Sequence, residues 1–309
     1  MGKYIVRRLL MMIPVLLGTT LLLYYLAFAM PGDPTAGLCG DRQCPASYVA
    51  QFRAQYHLDD PFFVQYLYYL GNLLRGDFGT LVNGHTVVHE LAFRYPTTLK
   101  LTLVAVAFEG IVGILAGILA GVRKGKTADT VVIIVTLLLL SVPVFVLGSL
   151  AQLVFGMKLG WFPVTAGAEG NLSDLILPGL VLGSLSLAYS TRLTRTSLVE
   201  NLRADYVRTA KAKGLSSVRA FGVHALRNSL LPVITYIGAS FGGLMGGAIV
   251  TERLFNIQGI GYFIWTNGIL GKQRVAIVGP VTLLVLVFLL CNLIVDILYA
   301  RLDPRISHD

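Results

Sequence analysis

The chain has 309 residues, 55% hydrophobic and 13% charged, with a formal net charge of +9 and a mean hydropathy of +0.72. That hydropathy excludes an ordinary soluble domain and points to an all-α polytopic membrane protein. The basic residues are dispersed at the ends of apolar runs with no nucleic-acid-binding motif, which argues against a nucleic-acid partner.

A hydrocarbon core about 30 Å thick takes roughly 20 apolar residues per helix. Six such runs occur, at Leu9 to Met30, Thr98 to Val122, Thr130 to Met157, Leu175 to Tyr189 with a possible extension to Thr194, Ser229 to Val250 and Ile277 to Ala300. They divide the chain into four parts: a cytoplasmic N-terminus with the first helix (1–30), an external helical subdomain (31–97), a five-helix core (98–300) with a cytoplasmic loop at 192–228, and a cytoplasmic tail (301–309). The first run follows Lys3, Arg7 and Arg8 as a signal peptide would. It is too long for one and ends at Pro31-Gly-Asp-Pro34 without a small-residue cleavage site, so it reads as a retained helix.

The external subdomain carries Cys39 and Cys44, which are consistent with a short disulfide in an oxidising compartment, with two free thiols, or with a metal pair. Apolar residues at Tyr48, Val49, Phe52 and again from Phe62 to Leu73 have helical spacing, interrupted at Asp59-Asp60-Pro61. Tyr66, Tyr68 and Tyr69 suit a membrane interface. His57, His85 and His89 form no known metal-ligand motif.

Within the spans, Glu109 either lines a pathway or makes an interhelical hydrogen bond. Ser141 and Pro143 are further pathway or packing candidates, and Pro143 predicts a kink in the third span. Gly242, Gly243, Gly246 and Gly247 in the fifth span serve close helix packing or a pore wall. Cys291 reads as a packed side chain, and Asp296 as a group that reaches the interface or pairs with Arg301. Sixteen basic and five acidic residues fall on one side of these spans, a net +11, against nine of each on the other. The rule that basic loops stay inside places both termini in the cytoplasm.

Between the fourth and fifth spans, Leu202, Tyr206, Val207 and Ala210 recur at helical spacing among Arg203, Arg208 and Lys211. This predicts a short amphipathic helix. Gly214 can end it in the left-handed conformation, and Ser216 or Ser217 can cap a second helix running to Asn228. Such a unit can lie flat on headgroups or present its turn to a cytoplasmic protein.

The segment resembles the cytoplasmic loop of binding-protein-dependent ABC importer permeases. Arg208-Thr209-Ala210 stands where that family has Glu-Ala-Ala, Gly214 matches its glycine, and Leu231-Pro232 follows at a longer interval than usual. Pro31-Gly-Asp-Pro34, Leu58-Asp-Asp-Pro61, Gln65-Tyr66, Leu74-Arg-Gly-Asp77, Gly79, Leu159-Gly-Trp-Phe-Pro163, His224 to Pro232, and Glu252 with Phe255, Gly259 and Gly261 resemble the B-type subunit of the dipeptide and oligopeptide branch. The resemblance implies a type I ABC importer permease with six transmembrane helices in the bacterial inner (cytoplasmic) membrane. It would pair with a homologous C-type subunit, two ATP-binding domains on one or two chains, and an extracytoplasmic substrate-binding protein. Carried over residue by residue, it assigns Tyr206, Arg208, Thr209, Ala210, Lys213 and Gly214 to the ATPase contact. ATP and magnesium would be bound by the partner ATPase subunits and no cofactor by this chain, which lacks Gly-x-x-x-x-Gly-Lys-Ser/Thr.

Nickel, haem, glutathione or sugar is the alternative cargo within the same architecture. An ATP-independent secondary transporter would need ion-coupling charges, for which only Glu109 and Asp296 stand within spans. No nucleophile, base and orienting group stand together as in an enzyme, so the chain reads as a non-catalytic subunit.

Overall fold

The computed structural model describes residues 2–29, 35, 39, 44–167 and 170–302; the Pro31-Gly-Asp-Pro34 motif and residues 303–309 of the tail lie outside these. Among the described residues every regular element is a helix. They are α1 (Gly2–Tyr24), extended by a wide turn at Tyr25–Ala29, then α2 (Ala46–Gln55), α3 (Phe62–Leu74), α4 (Val87–Val122), α5 (Thr127–Ser141) and α6 (Val144–Ala151), extended through Gln152–Lys158. There follow α7 (Leu172–Arg203), α8 (Asp205–Ala212), α9 (Ser217–Arg219), α10 (Arg227–Leu254), α11 (Ile260–Phe263), extended through Ile264–Leu270, and α12 (Val275–Leu302).

Five helical stretches are long and apolar enough to cross a membrane, namely Ile5–Ala29, Val87–Val122, Leu172–Arg203, Ser217–Leu254 and Val275–Ile297. The third apolar run is not one kinked helix: its halves, Thr127–Ser141 and Val144–Lys158, meet at 105°. Pro143 offers no N–H and forces its predecessor away from helical backbone, and Val142 sits at φ −90° and ψ 127°. The broken pair still accounts for a crossing. Gly113, Gly117 and Gly121 of α4 meet Ser190, Thr194 and Leu198 of α7 in the same order, so the two helices run parallel and the chain between them must return across the bundle. By the same criterion α12 runs antiparallel to α1, with Arg8 beside Asp296 and Arg274 bonded to the Ala27 carbonyl.

The α4–α7 seam depends on missing side chains. A Cβ on Gly117 would lie 2.4 Å from the Thr194 Cβ and 2.7 Å from the Thr191 carbonyl oxygen, and one on Gly183 would lie 2.5 Å from the Ala105 carbonyl oxygen. Between membrane helices, where no apolar solvent effect drives association, this approach maximises dispersion contact. The Gly113, Gly117, Gly121 repeat at intervals of four was legible in the sequence, although the small residues of α10 were the ones singled out.

Several helices outrun their apolar runs. α4 begins eleven residues before Thr98, because Thr86 caps it by accepting the His89 N–H at 3.4 Å and because Pro96 still fits within the helix. At about 1.5 Å per residue its 36 residues reach well beyond a bilayer core. α7 likewise continues past Tyr189 to Arg203.

At the end of the bundle away from the termini, α2 and α3 pack on α1 and α12 around Tyr24, Phe28, Phe52 and Tyr66. Tyr66, expected at an interface, is instead buried and bonds the Leu17 carbonyl at 3.0 Å and the Thr20 hydroxyl at 2.9 Å. Tyr69 bonds Thr282 at 2.9 Å, and burial pushes its phenol up to about 12. Tyr68 alone of the three stays half exposed, stacked on His57 at 3.8 Å. Cys39 and Cys44 are joined, with their Cα atoms 5.4 Å apart. Among the described residues no three of His, Cys, Asp and Glu are grouped to hold a metal ion.

Candidate functional site

Three regions carry the polar chemistry of the bundle. The first is the loop after α7. Ala204 leaves helical geometry at φ −68° and ψ 146°, so α8 starts as a separate element. On its apolar face Val207 is buried with Leu198 and Ala225, flanked by Leu202 and Phe221, and Ala210 is buried as well. Tyr206, Arg208, Thr209, Lys213 and Gly214 are exposed, whereas Ala210, grouped with them from the resemblance, is buried. Arg208 is 78% exposed and reaches Asp205 at 3.5 Å. Tyr206 donates to Asn201. Gly214 ends α8 at φ +86°, with open space around the position of a Cβ.

Beyond the turn, Ser216 accepts the Arg219 N–H at 3.4 Å. A separate second helix ending near Asn228 was expected. Instead the chain from Ser217 to Leu254 is one helical stretch of 38 residues, with a wide turn at Ala220–Leu226 and Pro232 accommodated inside. Only Leu215 and Ser216 lie between Gly214 and this stretch. Ser229 fastens the base of this helix to α7 by its bond to the Ser197 carbonyl at 3.3 Å.

The second region is an open face shared by α7 and α10. Glu109 on α4 is fully buried; its Oε2 accepts the Ser240 hydroxyl of α10 at 2.8 Å, while Oε1 has no hydrogen-bond partner among the described residues. Of the two readings of Glu109, the interhelical hydrogen bond is present. One turn before Ser240, Tyr236 lies 6.3 Å from Tyr189 of α7, and the Arg192 guanidinium sits 5.0 Å over the Tyr189 ring. The glycines of α10 divide by surroundings. Gly242 packs on Phe288 and Gly247 approaches Leu182 and Leu185, whereas Gly243 and Gly246 are exposed with open space beside them. Ser141 and Pro143 are exposed at the α5–α6 break, with the Ser141 hydroxyl returned to the Leu138 carbonyl at 2.9 Å.

The third region clasps the opposite end. Glu252 is fully buried, accepting the Thr98 hydroxyl at 2.6 Å and the Tyr262 N–H at 2.9 Å, while the Thr98 oxygen accepts the Ile260 N–H at 2.9 Å. The carboxylate therefore sits on the N-terminus of α11, where unpaired N–H groups favour negative charge. A Cβ on Gly259 would lie 2.3 Å from the Glu252 carboxylate, and one on Gly261 would lie 2.4 Å from the Ile249 Cα. In sequence the set Glu252, Phe255, Gly259 and Gly261 was only a matching pattern. Its physical basis is this docking of carboxylate against bare backbone.

Among the described residues, ion pairs join helices near the end bearing Arg8 and the Gly214 turn. Asp129 at the start of α5 is held by Arg195 of α7 at 2.5 and 2.7 Å. Asp296 pairs with Arg8 of α1 at 3.0 Å.

Residues 113–308 match the family model described as binding-protein-dependent transport system inner membrane component, and residues 1–102 match the model of the N-terminal part of such components. The chain belongs to this family. It is a membrane-embedded permease component with the type I ABC permease fold. Over the whole chain and 99% of the relative, it is 38% identical to the di/tripeptide transport system permease protein DppB of Pseudomonas aeruginosa (strain UCBPP-PA14). It is 37% identical to the glutathione transport system permease protein GsiC of Escherichia coli (strain K12) and 38% identical to that of Salmonella choleraesuis (strain SC-B67), each over the full length of both chains.

Proposed function

We propose that this permease is one of two membrane subunits of an ATP-driven importer of short peptides, glutathione included, and that the turn at Gly214 docks on the partner ATPase. The observation that carries this reading is the uninterrupted helix from Ser217 to Leu254, which joins the exposed turn directly to the open face of α10. A displacement of the turn moves that face as a rigid body, the kind of element a two-state transporter requires. The full-length likeness to di/tripeptide and glutathione permeases supports the cargo class.

In this scheme ATP and magnesium are held by two partner domains, whose closure pulls α8 and the Gly214 turn together. The homologous second permease subunit completes the pathway against α7 and α10, and an extracytoplasmic protein delivers the peptide. The excess of basic residues at the end bearing Arg8, the Gly214 turn and Asp296 supports a cytoplasmic location for that end and for both termini.

The test is affinity purification of the chain in mild detergent, followed by reconstitution with its co-purifying proteins and a peptide-loaded binding protein. A second permease and an ATPase stimulated by loaded binding protein are the expected result. Recovery of an isolated chain that moves peptide down an ion gradient without ATP would overturn the reading.

A further inference from the structure

Resting on the peptide-importer reading, we infer that Arg192, stacked on Tyr189 beside Tyr236 on the open face of α7 and α10, binds the terminal carboxylate of the transported peptide. The two arginines where α7 runs on beyond its apolar stretch have different surroundings. Arg195, three residues on, is neutralised by both oxygens of Asp129. Arg192 faces no carboxylate among the described residues. Its Nε donates to the Ala188 carbonyl at 3.2 Å, which fixes the plane of the group, and its Nη atoms have no acceptor among the described residues.

The surroundings fit an anionic guest. Tyr189 is 51% exposed on the same face and carries the guanidinium over its ring. The acidic group behind the cluster, Glu109, is fully buried and engaged with Ser240, so it does not reach Arg192 from the open side. The patch is less apolar than the outer face of α4: Ile111, Leu115 and Leu119 are exposed there, whereas Tyr189, Gly243 and Gly246 are exposed here, with Val250 beyond them. A fixed guanidinium fork with free Nη groups matches a carboxylate in two parallel hydrogen bonds. The flanking phenol rings offer flat surfaces to a peptide unit or an aromatic side chain. A free peptide always carries a C-terminal carboxylate, so such a contact is independent of sequence and suits a pathway that passes many peptides.

The test measures equilibrium binding of tritiated Ala-Phe to the complete purified complex in nanodiscs without its binding protein, displaced by unlabelled Ala-Phe or by its C-terminal amide. In the wild type the free acid should displace about ten-fold better than the amide, the size expected of a hydrogen bond to a charged group. Arg192→Gln should erase that difference by weakening the acid alone, and Arg192→Lys should keep part of it. Absence of displaceable binding, equal displacement by acid and amide in the wild type, or an undiminished preference in Arg192→Gln would overturn the assignment. If the complex in proteoliposomes with loaded binding protein still shows ATP-driven peptide uptake, only the role of Arg192 has failed; if the wild type shows none there, the importer reading has failed.

Discussion

At Gly246 an added methyl group meets open space, whereas at Gly261 it would lie 2.4 Å from the Ile249 Cα and 2.8 Å from its nitrogen, and backbone cannot rotate aside. Gly261→Ala should therefore cost about 1–3 kcal/mol, as overpacking does, and lower the thermal unfolding midpoint in detergent. Gly246→Ala should stay within about 0.5 kcal/mol. Equal midpoints for the two would remove the clasp from the account. Gly214 presents a third case, in which space is free but φ is +86°. Gly214→Ala should cost about 1 kcal/mol for the left-handed backbone and retain substantial peptide-stimulated ATPase activity. Gly214→Pro, confined to φ near −65°, should abolish that stimulation by re-aiming the turn. Stimulation that survived the proline would show that the turn is not the coupling point.

At the scale of elements, α5 begins beside α7 because Asp129, 4% exposed, is gripped by Arg195, and the helix then departs at 105° after Ser141. Losing one member removes a hydrogen bond between charged groups, which costs about 1.5–3 kcal/mol, whereas losing both removes the desolvation cost as well. Asp129→Asn and Arg195→Met should each lower the unfolding midpoint, and the double variant should recover part of the loss, with a coupling of about 1–3 kcal/mol. Strict additivity would contradict a direct pair. This contact shows what the sequence could and could not disclose. Apolar runs located the membrane helices because lipid demands such runs, and the glycine and serines at 214, 216 and 217 marked a turn because few residues take those conformations cheaply. The starts and ends of α4 and α7 were hidden because His89, Glu90, Arg94 and Arg203 are polar yet helical. Pro143 signalled a disturbance, but its angle depends on how α6 packs, including Gly148 against Leu254. The burial of Ala210, the Arg195 pairing and the carboxylate clasp depend on which helices meet, and no spacing in one chain states that.

For the molecule as a whole, the informative contrast is between its outer faces. α4 shows Ile111, Leu115 and Leu119 outward, α5 shows Ile134 and Leu138, and α1 shows Leu10 and Ile13, all suited to lipid tails. The face of α7 and α10 shows Tyr189, Gly243 and Gly246, with Val250 a turn beyond, and is less apolar than the surfaces beside it. If that face borders a water-filled path beside a second permease, a thiol placed there should meet water and sense the ATP cycle. In a Cys291→Ser background with the Cys39–Cys44 bond retained, Gly246→Cys in the assembled complex should react with a membrane-impermeant maleimide. Its rate should change at least several-fold between nucleotide-free and ATP-trapped states. Leu115→Cys should stay unreactive in both, because lipid excludes the reagent. Equal labelling at the two positions, or a Gly246→Cys rate indifferent to nucleotide, would mean that the open face is covered by a static neighbour. The continuous helix from Ser217 to Leu254 would then transmit no motion to the pathway.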